Sequence, residues 1–299
     1  MRCDLCKKNI MKLKFKGSAS TLNFKNFAQY AVYGDIYCCK SCGLVKQKTN
    51  LNTKRINELL KNEKYLNESI GQLALTEKHY QFNELTKILL KFTNIKNSSV
   101  LDIGANTGIF LDLIKDTAKS VKGIEPSYEA YLFCKKKGLN VKNGVIKDIS
   151  LPTNTIEIAT MWDVIEHLSS PIEDLKIINR WLKPKGLIFI STHNIESNFA
   201  KITGKSYPML MYQHLYHFTP KTMSKILEKS GFRVKGIYPF KKSWSLGYLH
   251  ALLKELWPSS FLSNTAHWLL GKLIQFKWIS RIQVKVPIND FFVIVAEKV

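Results

Sequence analysis

Between residues 99 and 192 short apolar runs alternate with amphipathic segments. Ser99-Val100-Leu101-Asp102-Ile103 is an apolar run ending at Gly104, and Ile109–Lys119 follows with apolar positions at helical spacing. Val121–Glu125 reads as a strand and Tyr128–Lys137 as a helix closed by Gly138. Val141–Ile146 and Ile156–Trp162 read as two more strands, Pro171–Leu182 as a helix stopped before Pro184 and Gly186, and Leu187–Thr192 as a further strand. Strands separated by helices must run parallel, so the pattern predicts an α/β fold with a doubly wound, mostly parallel sheet.

The flanks read differently. Leucines and isoleucines spaced among Lys, Glu and Asn predict helix through residues 51–92. Thr219–Lys229 reads as a helix, Gly231-Phe232-Arg233-Val234 opens a strand, and Phe291–Ala296 reads as a buried strand. Residues 244–283 hold Trp244, Trp257, Trp268 and Trp278 among many leucines, and Pro258 divides what reads as two amphipathic helices. The expected organisation is a small module at 1–50, a helical connector at 51–92 and a core at 93–243. An amphipathic helical insertion at 244–284 and a last core strand at 285–299 complete it.

Composition narrows the class. The chain has 299 residues, 45% of them hydrophobic, which is enough for a buried core and excludes a disordered chain. It lacks an 18-residue apolar stretch and an apolar leader after Met1, so the expected location is cytoplasmic. The net charge is +22, yet only five basic residues are arginine, which weakens a nucleic-acid reading because phosphate and base recognition leans on arginine forks. The excess sits at the two ends, +8 over residues 1–50 and +11 over 201–299. That distribution suits an anionic substrate or peripheral contact with the inner face of a membrane, and equally a solvated lysine surface. Tryptophan beside Lys254, Lys272, Lys277 and Arg281 also suits a lipid headgroup boundary, against the plainer reading of a packed helical subdomain.

Two constellations carry chemistry. In the first, an apolar strand delivers Asp102, then the turn Gly104-Ala105-Asn106-Thr107-Gly108, then a helix. Glycine lets backbone approach a ligand where a Cβ would clash, and the helix start presents free N–H groups. Glu125 ends the next strand, placed for the two hydroxyls of a ribose, while the spacing lacks a dinucleotide pyrophosphate clamp. In the second, Cys3-x-x-Cys6 and Cys39-x-x-Cys42 have four-thiolate zinc spacing, with Gly43 allowing the turn after the last ligand. Cys38 breaks the two-residue gap and Cys134 reads as a core residue. The predicted zinc site is structural, and would supply folding energy to a segment poor in aliphatics. A redox dithiol is the competing reading.

These residues resemble the class I S-adenosylmethionine-dependent methyltransferases, in the branch of ubiquinone-biosynthesis and sugar-pathway enzymes. The resemblance runs in order through Val100–Gly108, Gly123–Ser127, Thr160–Leu168, Asn179–Leu187 and His214–Pro220, over roughly residues 80–240. It implies S-adenosylmethionine as cofactor. Gly104 and Gly108 would shape the loop around its methionine part, and Asp102 would anchor that loop and its waters. Glu125 would take the ribose hydroxyls, and Trp162 and Asp163 would lie beside the sulfonium. Asn106 replaces a glycine of the pattern, and Val145 and Ile146 stand where an acid often meets the adenine, with Asp148 as its substitute. Sugar C-methyltransferases also carry a four-cysteine zinc module, together with a Glu-His pair near a tyrosine. Here the matching segment is Tyr212-Gln213-His214, with Gln213 in place of the glutamate.

The implied reaction is methyl transfer to oxygen or carbon of a small or glycan-type acceptor, as in polysaccharide biosynthesis. An acceptor that must lose a proton needs a base. His214 is the first candidate and His217 the second, with His167 and His193 also in reach of the pattern. An RNA acceptor, a quinone or lipid acceptor, and a cofactor-free scaffold remain open at this point, as does the oligomeric state.

Overall fold

The computed structural model describes residues 1–18, 32–49, 51–61, 68–247, 250, 271–272, 276–280, 282–285 and 289–299, without the side chains of 53, 60, 68–77, 243, 277, 278 and 285. The core is a seven-stranded sheet. Five strands are parallel: β4 (Ser99–Ile103), β5 (Ser120–Glu125), β6 (Val141–Asn143), β7 (Ile156–Trp162) and β8 (Leu182–His193). Two antiparallel strands, β10 (Phe232–Phe240) and β13 (Phe291–Lys298), extend it in the order β10-β13-β8-β7-β4-β5-β6. The strand order reverses between β4 and β7, which opens a crevice at their carboxyl ends.

Alternation along the strands builds the two outer layers. Leu101 and Ile103 of β4 point into one apolar cluster, with Leu175 and Ile178 of α5 (Pro171–Trp181) and Met223 and Ile226 of α7 (Pro220–Lys229). Val100 points into the other, with Leu85 and Leu89 of α2 (Glu68–Leu90) and Phe110 and Ile114 of α3 (Ile109–Ile114). A further helix, α1 (Thr53–Lys61), precedes α2, and α4 (Tyr128–Lys136) follows β5.

The amino-terminal cysteine segment is not a free appendage. Its strands β1 (Met11–Phe15), β2 (Ile36–Cys39) and β3 (Val45–Gln47) form an antiparallel sheet whose fourth strand is β9 (Tyr216–His217), contributed by the core. Cys3, Leu5, Cys39, Cys42 and Leu44 share one apolar cluster with Tyr216 and Met223. The segment therefore borrows a core rather than relying on metal alone.

Two expectations change. The strand at Val141 stops at Asn143: Gly144, at φ 149, turns the chain, and Ile146–Asp148 closes a 3-10 turn capped by the Asp148 carboxylate at Val145 N. Trp244 lies on a strand, β11 (Ser243–Ser245), paired with β12 (Gln283–Lys285), rather than on a helix. A short helix at Lys277–Ser280 precedes β12. Trp257, Trp268 and most of the expected insertion lie outside the described residues. Among the described residues, no helix is long and apolar enough to cross a membrane.

Candidate cofactor and acceptor site

A cavity of about 260 Å³ opens at the carboxyl ends of β4, β5 and β7. Six of the eight candidate cofactor residues line it: Gly104, Asn106, Glu125, Ile146, Trp162 and Asp163. Glu125, buried at the end of β5, accepts from Asn106 N at 2.6 Å and from Ser127 N at 2.7 Å, so its carboxylate ties the two turns that frame the cavity. Gly104 and Asn106 adopt φ 73 and 50, the left-handed region that glycine takes freely and asparagine tolerates. A Cβ on Gly104 would run into Val164 Cγ2.

Asp102 and Gly108 do not line the cavity. Asp102 is buried one layer below, accepts from Thr160 Oγ1 at 2.7 Å, and is lifted to about 7 by burial. Gly108 is the left-handed N-cap of α3, where a Cβ would meet Leu139 Cδ1 and Cys134 Sγ. The space its Cβ would need is filled by protein. Asp148 is likewise absent from the cavity wall: it caps the turn at Val145 and pairs with Lys61 at 3.0 Å, leaving the apolar Val145 and Ile146 on that side.

At the other end Asp163, at φ 55, accepts from Ser191 Oγ at 2.8 Å and from Lys242 Nζ at 2.7 Å. Burial opposes the ionised carboxylate, but the Lys242 ammonium outweighs it and holds Asp163 below its ordinary range. Lys242 also lies 3.6 Å from the centroid of the Phe291 ring. Trp162 packs edge-on against Phe110, with its Nε1 buried and unpartnered.

Four histidines gather at this end. His167 and Gln213 line the cavity, whereas His193, His214 and His217 are buried behind it. His167 Nδ1 is 3.2 Å from Gln213 O and His214 Nδ1 is 2.8 Å from Met209 O, so in both rings Nδ1 donates to a backbone carbonyl. His193 Nε2 meets His217 Nδ1 at 2.9 Å, and the His193 ring stacks on His214 at 5.1 Å. Burial drives His193 down to about 3 and holds His214 and His217 well below the usual imidazole range, so all three are neutral. Glu166 is lifted by burial to about 7. The ligating atoms of Glu166, His167 and His214 lie within 4.8 Å of one another, a spacing at which three such groups can ligate one cation.

A second cluster lies in the cysteine segment. The four thiols of Cys3, Cys6, Cys39 and Cys42 lie within 4.8 Å of one another, with Cys3–Cys42 at 3.4 Å and Cys6–Cys39 at 3.5 Å. Cys38 and Cys134 stand apart from it.

Residues 78–235, just over half of the chain, match a family described as a methyltransferase domain. The chain belongs to that family. At the family level it is an S-adenosylmethionine-dependent methyltransferase. A probable S-adenosylmethionine-dependent methyltransferase of Mycolicibacterium smegmatis is 25% identical over 165 residues, 54% of this chain and 63% of that protein. The chain thus spans less than two thirds of that relative. A ubiquinone biosynthesis O-methyltransferase of Vibrio parahaemolyticus is 26% identical over 182 residues, 54% of this chain and 77% of its own length. A tRNA U34 carboxymethyltransferase of Desulfotalea psychrophila is 28% identical over 153 residues, 46% of each chain. An S-adenosylmethionine-dependent methyltransferase structure from Thermotoga maritima covers 77% of this chain and 95% of its own at TM-score 0.51 and 19% identity, which shows the shared fold.

Sequence reasoning missed several residues of this methyltransferase's cavity. Gln81, Phe82 and Leu85 of α2 wall it, from a helix the sequence marks only as a connector. Ser191, inside β8 and on the cavity wall, and Lys242, which holds Asp163 from just past β10, carry no motif.

Proposed function

We propose that this methyltransferase acts on a hydroxyl or acidic carbon of a small, glycan-type acceptor such as a sugar nucleotide or a polysaccharide or lipid-linked precursor. The observation that carries the reading is the histidine pair: His167 faces the cavity, His214 backs it, and in each ring Nδ1 is held by a backbone carbonyl, which leaves Nε2 as the nitrogen able to exchange a proton. A neutral imidazole held by a backbone carbonyl is poised to take a proton. Bound S-adenosylmethionine supplies an electrophilic methyl group. In this reading Glu125 holds the ribose, Ile146 and Val145 cover the adenine, and Asp163 with Lys242 fixes the end nearest the histidines. His167 then becomes the direct base and His214 its support, which reverses the order the sequence implied.

The cysteine cluster supports a structural zinc ion in the same reading. Tetrahedral zinc with Zn–S of about 2.3 Å sets its sulfurs about 3.8 Å apart, near the spacing of the two close thiol pairs. Four thiolates leave no open position for chemistry. Metal analysis of the protein should give about one equivalent of zinc per chain, unchanged in Cys38→Ser.

Incubation with methyl-labelled S-adenosylmethionine and fractionated sugar nucleotides, polysaccharide precursors, lipids and RNA tests the acceptor. Label in a saccharide fraction, at least tenfold lower for His167→Ala, is the expected result, since a general base contributes about 10²–10⁴-fold. Label confined to RNA or to quinone-containing lipid would overturn it.

A further inference from the structure

Gln47 is the last residue of β3, five positions after Cys42, and its side chain is completely buried. Its amide Nε2 donates to Tyr212 O at 2.7 Å and lies 3.3 Å from His214 O, while Oε1 accepts from Gly34 N at 2.7 Å. Its backbone N–H donates to Leu215 O at 2.9 Å, and Leu215 N donates in turn to Glu166 O at 2.8 Å. One residue of the cysteine segment thus grips the backbone on both sides of Gln213 and His214. Through Leu215 it also reaches the turn that carries Glu166 and His167.

A second tether runs from the first cysteine pair. Asp4, between Cys3 and Cys6, accepts from Tyr216 O–H and from Lys46 Nζ, both at 2.7 Å. The segment 209–217 has little regular structure of its own, only the two-residue β9, and β9 pairs with β3 rather than with the main sheet. Local bonds turn the segment, with Met211 N donating to Met209 O and His214 N to Met211 O, both at 3.0 Å. The side chain that reaches the carbonyls of Tyr212 and His214 from outside it is Gln47.

From this we infer that Gln47 is a positioning residue for the acceptor-side histidines, and that the four-cysteine segment acts on methyl transfer through it. The inference rests on the reading of His167 and His214 as the proton-handling pair. A buried amide that donates to main-chain carbonyls fixes backbone, and the backbone fixes the Nδ1-protonated tautomer of His214 by placing Met209 O against its ring. Loosening the grip lets the His214 ring sample the other tautomer, in which Nε2 is protonated and no longer an acceptor.

The test uses the full chain labelled with ¹⁵N-histidine, where the ring nitrogens report the tautomer directly, and the His214 signals are those missing from His214→Asn. Gln47→Met keeps length and burial but removes both donors. Gln47→Asn keeps the amide one methylene short and reads the same signal should Gln47→Met fail to fold. Tyr33→Phe is the control, because it deletes one bond between the same segment and the core, Tyr33 O–H to Lys205 O at 2.7 Å, without touching 209–217. The expected result is a single Nδ1-protonated form of His214 in the parent and in Tyr33→Phe, and a tautomer mixture in the Gln47 variants. S-adenosylmethionine affinity should stay within twofold in all of them, while labelled-methyl transfer falls in both Gln47 variants, at least tenfold for Gln47→Met, and not in Tyr33→Phe. An unchanged His214 signal in the Gln47 variants would overturn the inference. If instead His167→Asn and His214→Asn transfer methyl as well as the parent, the proton-handling reading fails, and the tautomer signal still decides the positioning role by itself.

Discussion

Gly104 and Gly108 share one loop and one backbone region, φ 73 and 74, yet their missing Cβ atoms serve different neighbours. At Gly108 the neighbours are Leu139 and Cys134, so Gly108→Ala should cost about 1–3 kcal/mol of stability through left-handed strain and overpacking. Urea denaturation measures this, and S-adenosylmethionine affinity should hardly move. Gly104→Ala presses on Val164 at the cavity wall and should lower stability and affinity together. The sequence shows both glycines and the acid after the next strand, but spacing says nothing about which empty Cβ position is filled by protein. For the same reason it could not show that Asp102 lies under the cavity rather than in it. Titration belongs to this scale too. Glu166 is lifted to about 7 by burial, so its contribution to stability is complete below its unfolded value near 4.5 and is lost as pH rises through about 7. Relative to the parent, Glu166→Gln should therefore gain on the order of 2–3 kcal/mol between pH 4.5 and 7.5, since each pKa unit is worth about 1.4 kcal/mol. Denaturant melts at the two pH values check it, and a constant difference would contradict it. The neutral His193, His214 and His217 act with the opposite sign, contributing above pH 6.5 and losing that contribution as pH falls.

At the scale of elements the hydrophobic alternation foretold β4, β5, β7 and β8 and the helices between them, because a buried parallel strand is a continuous apolar run. The strands it did not show are short and take their pairing from afar. β9 is two residues long and pairs across about 170 positions with β3; β11 and β12 bracket a stretch whose leucine spacing reads as helix. Since β9 closes the small sheet, the cysteine site and the histidine segment should fail together. Stripping metal with a strong chelator, or Cys39→Ser, should remove amide-exchange protection from residues 212–217 as well as from 36–47. Protection lost only from 36–47 would show that the two elements are not coupled.

For the whole molecule, the order of strands places the methyltransferase cavity at the reversal between β4 and β7, and chain segments as distant as α2 and β10 wall it. Charge adds a broad field: at +22 the chain attracts anions of many kinds, so specificity must come from the cavity and not from the surface. Any nucleic-acid binding should accordingly weaken steeply with salt. S-adenosylmethionine binding should not, because the pocket is small and its acid is buried. Calorimetric titration of the full chain with S-adenosylmethionine tests the central claim most directly. The account predicts one equivalent per chain, weakened about 10- to 150-fold in Glu125→Ala, the loss of roughly 1.5–3 kcal/mol of charge-assisted hydrogen bonding. No binding by the parent protein, or equal binding by Glu125→Ala, would contradict it.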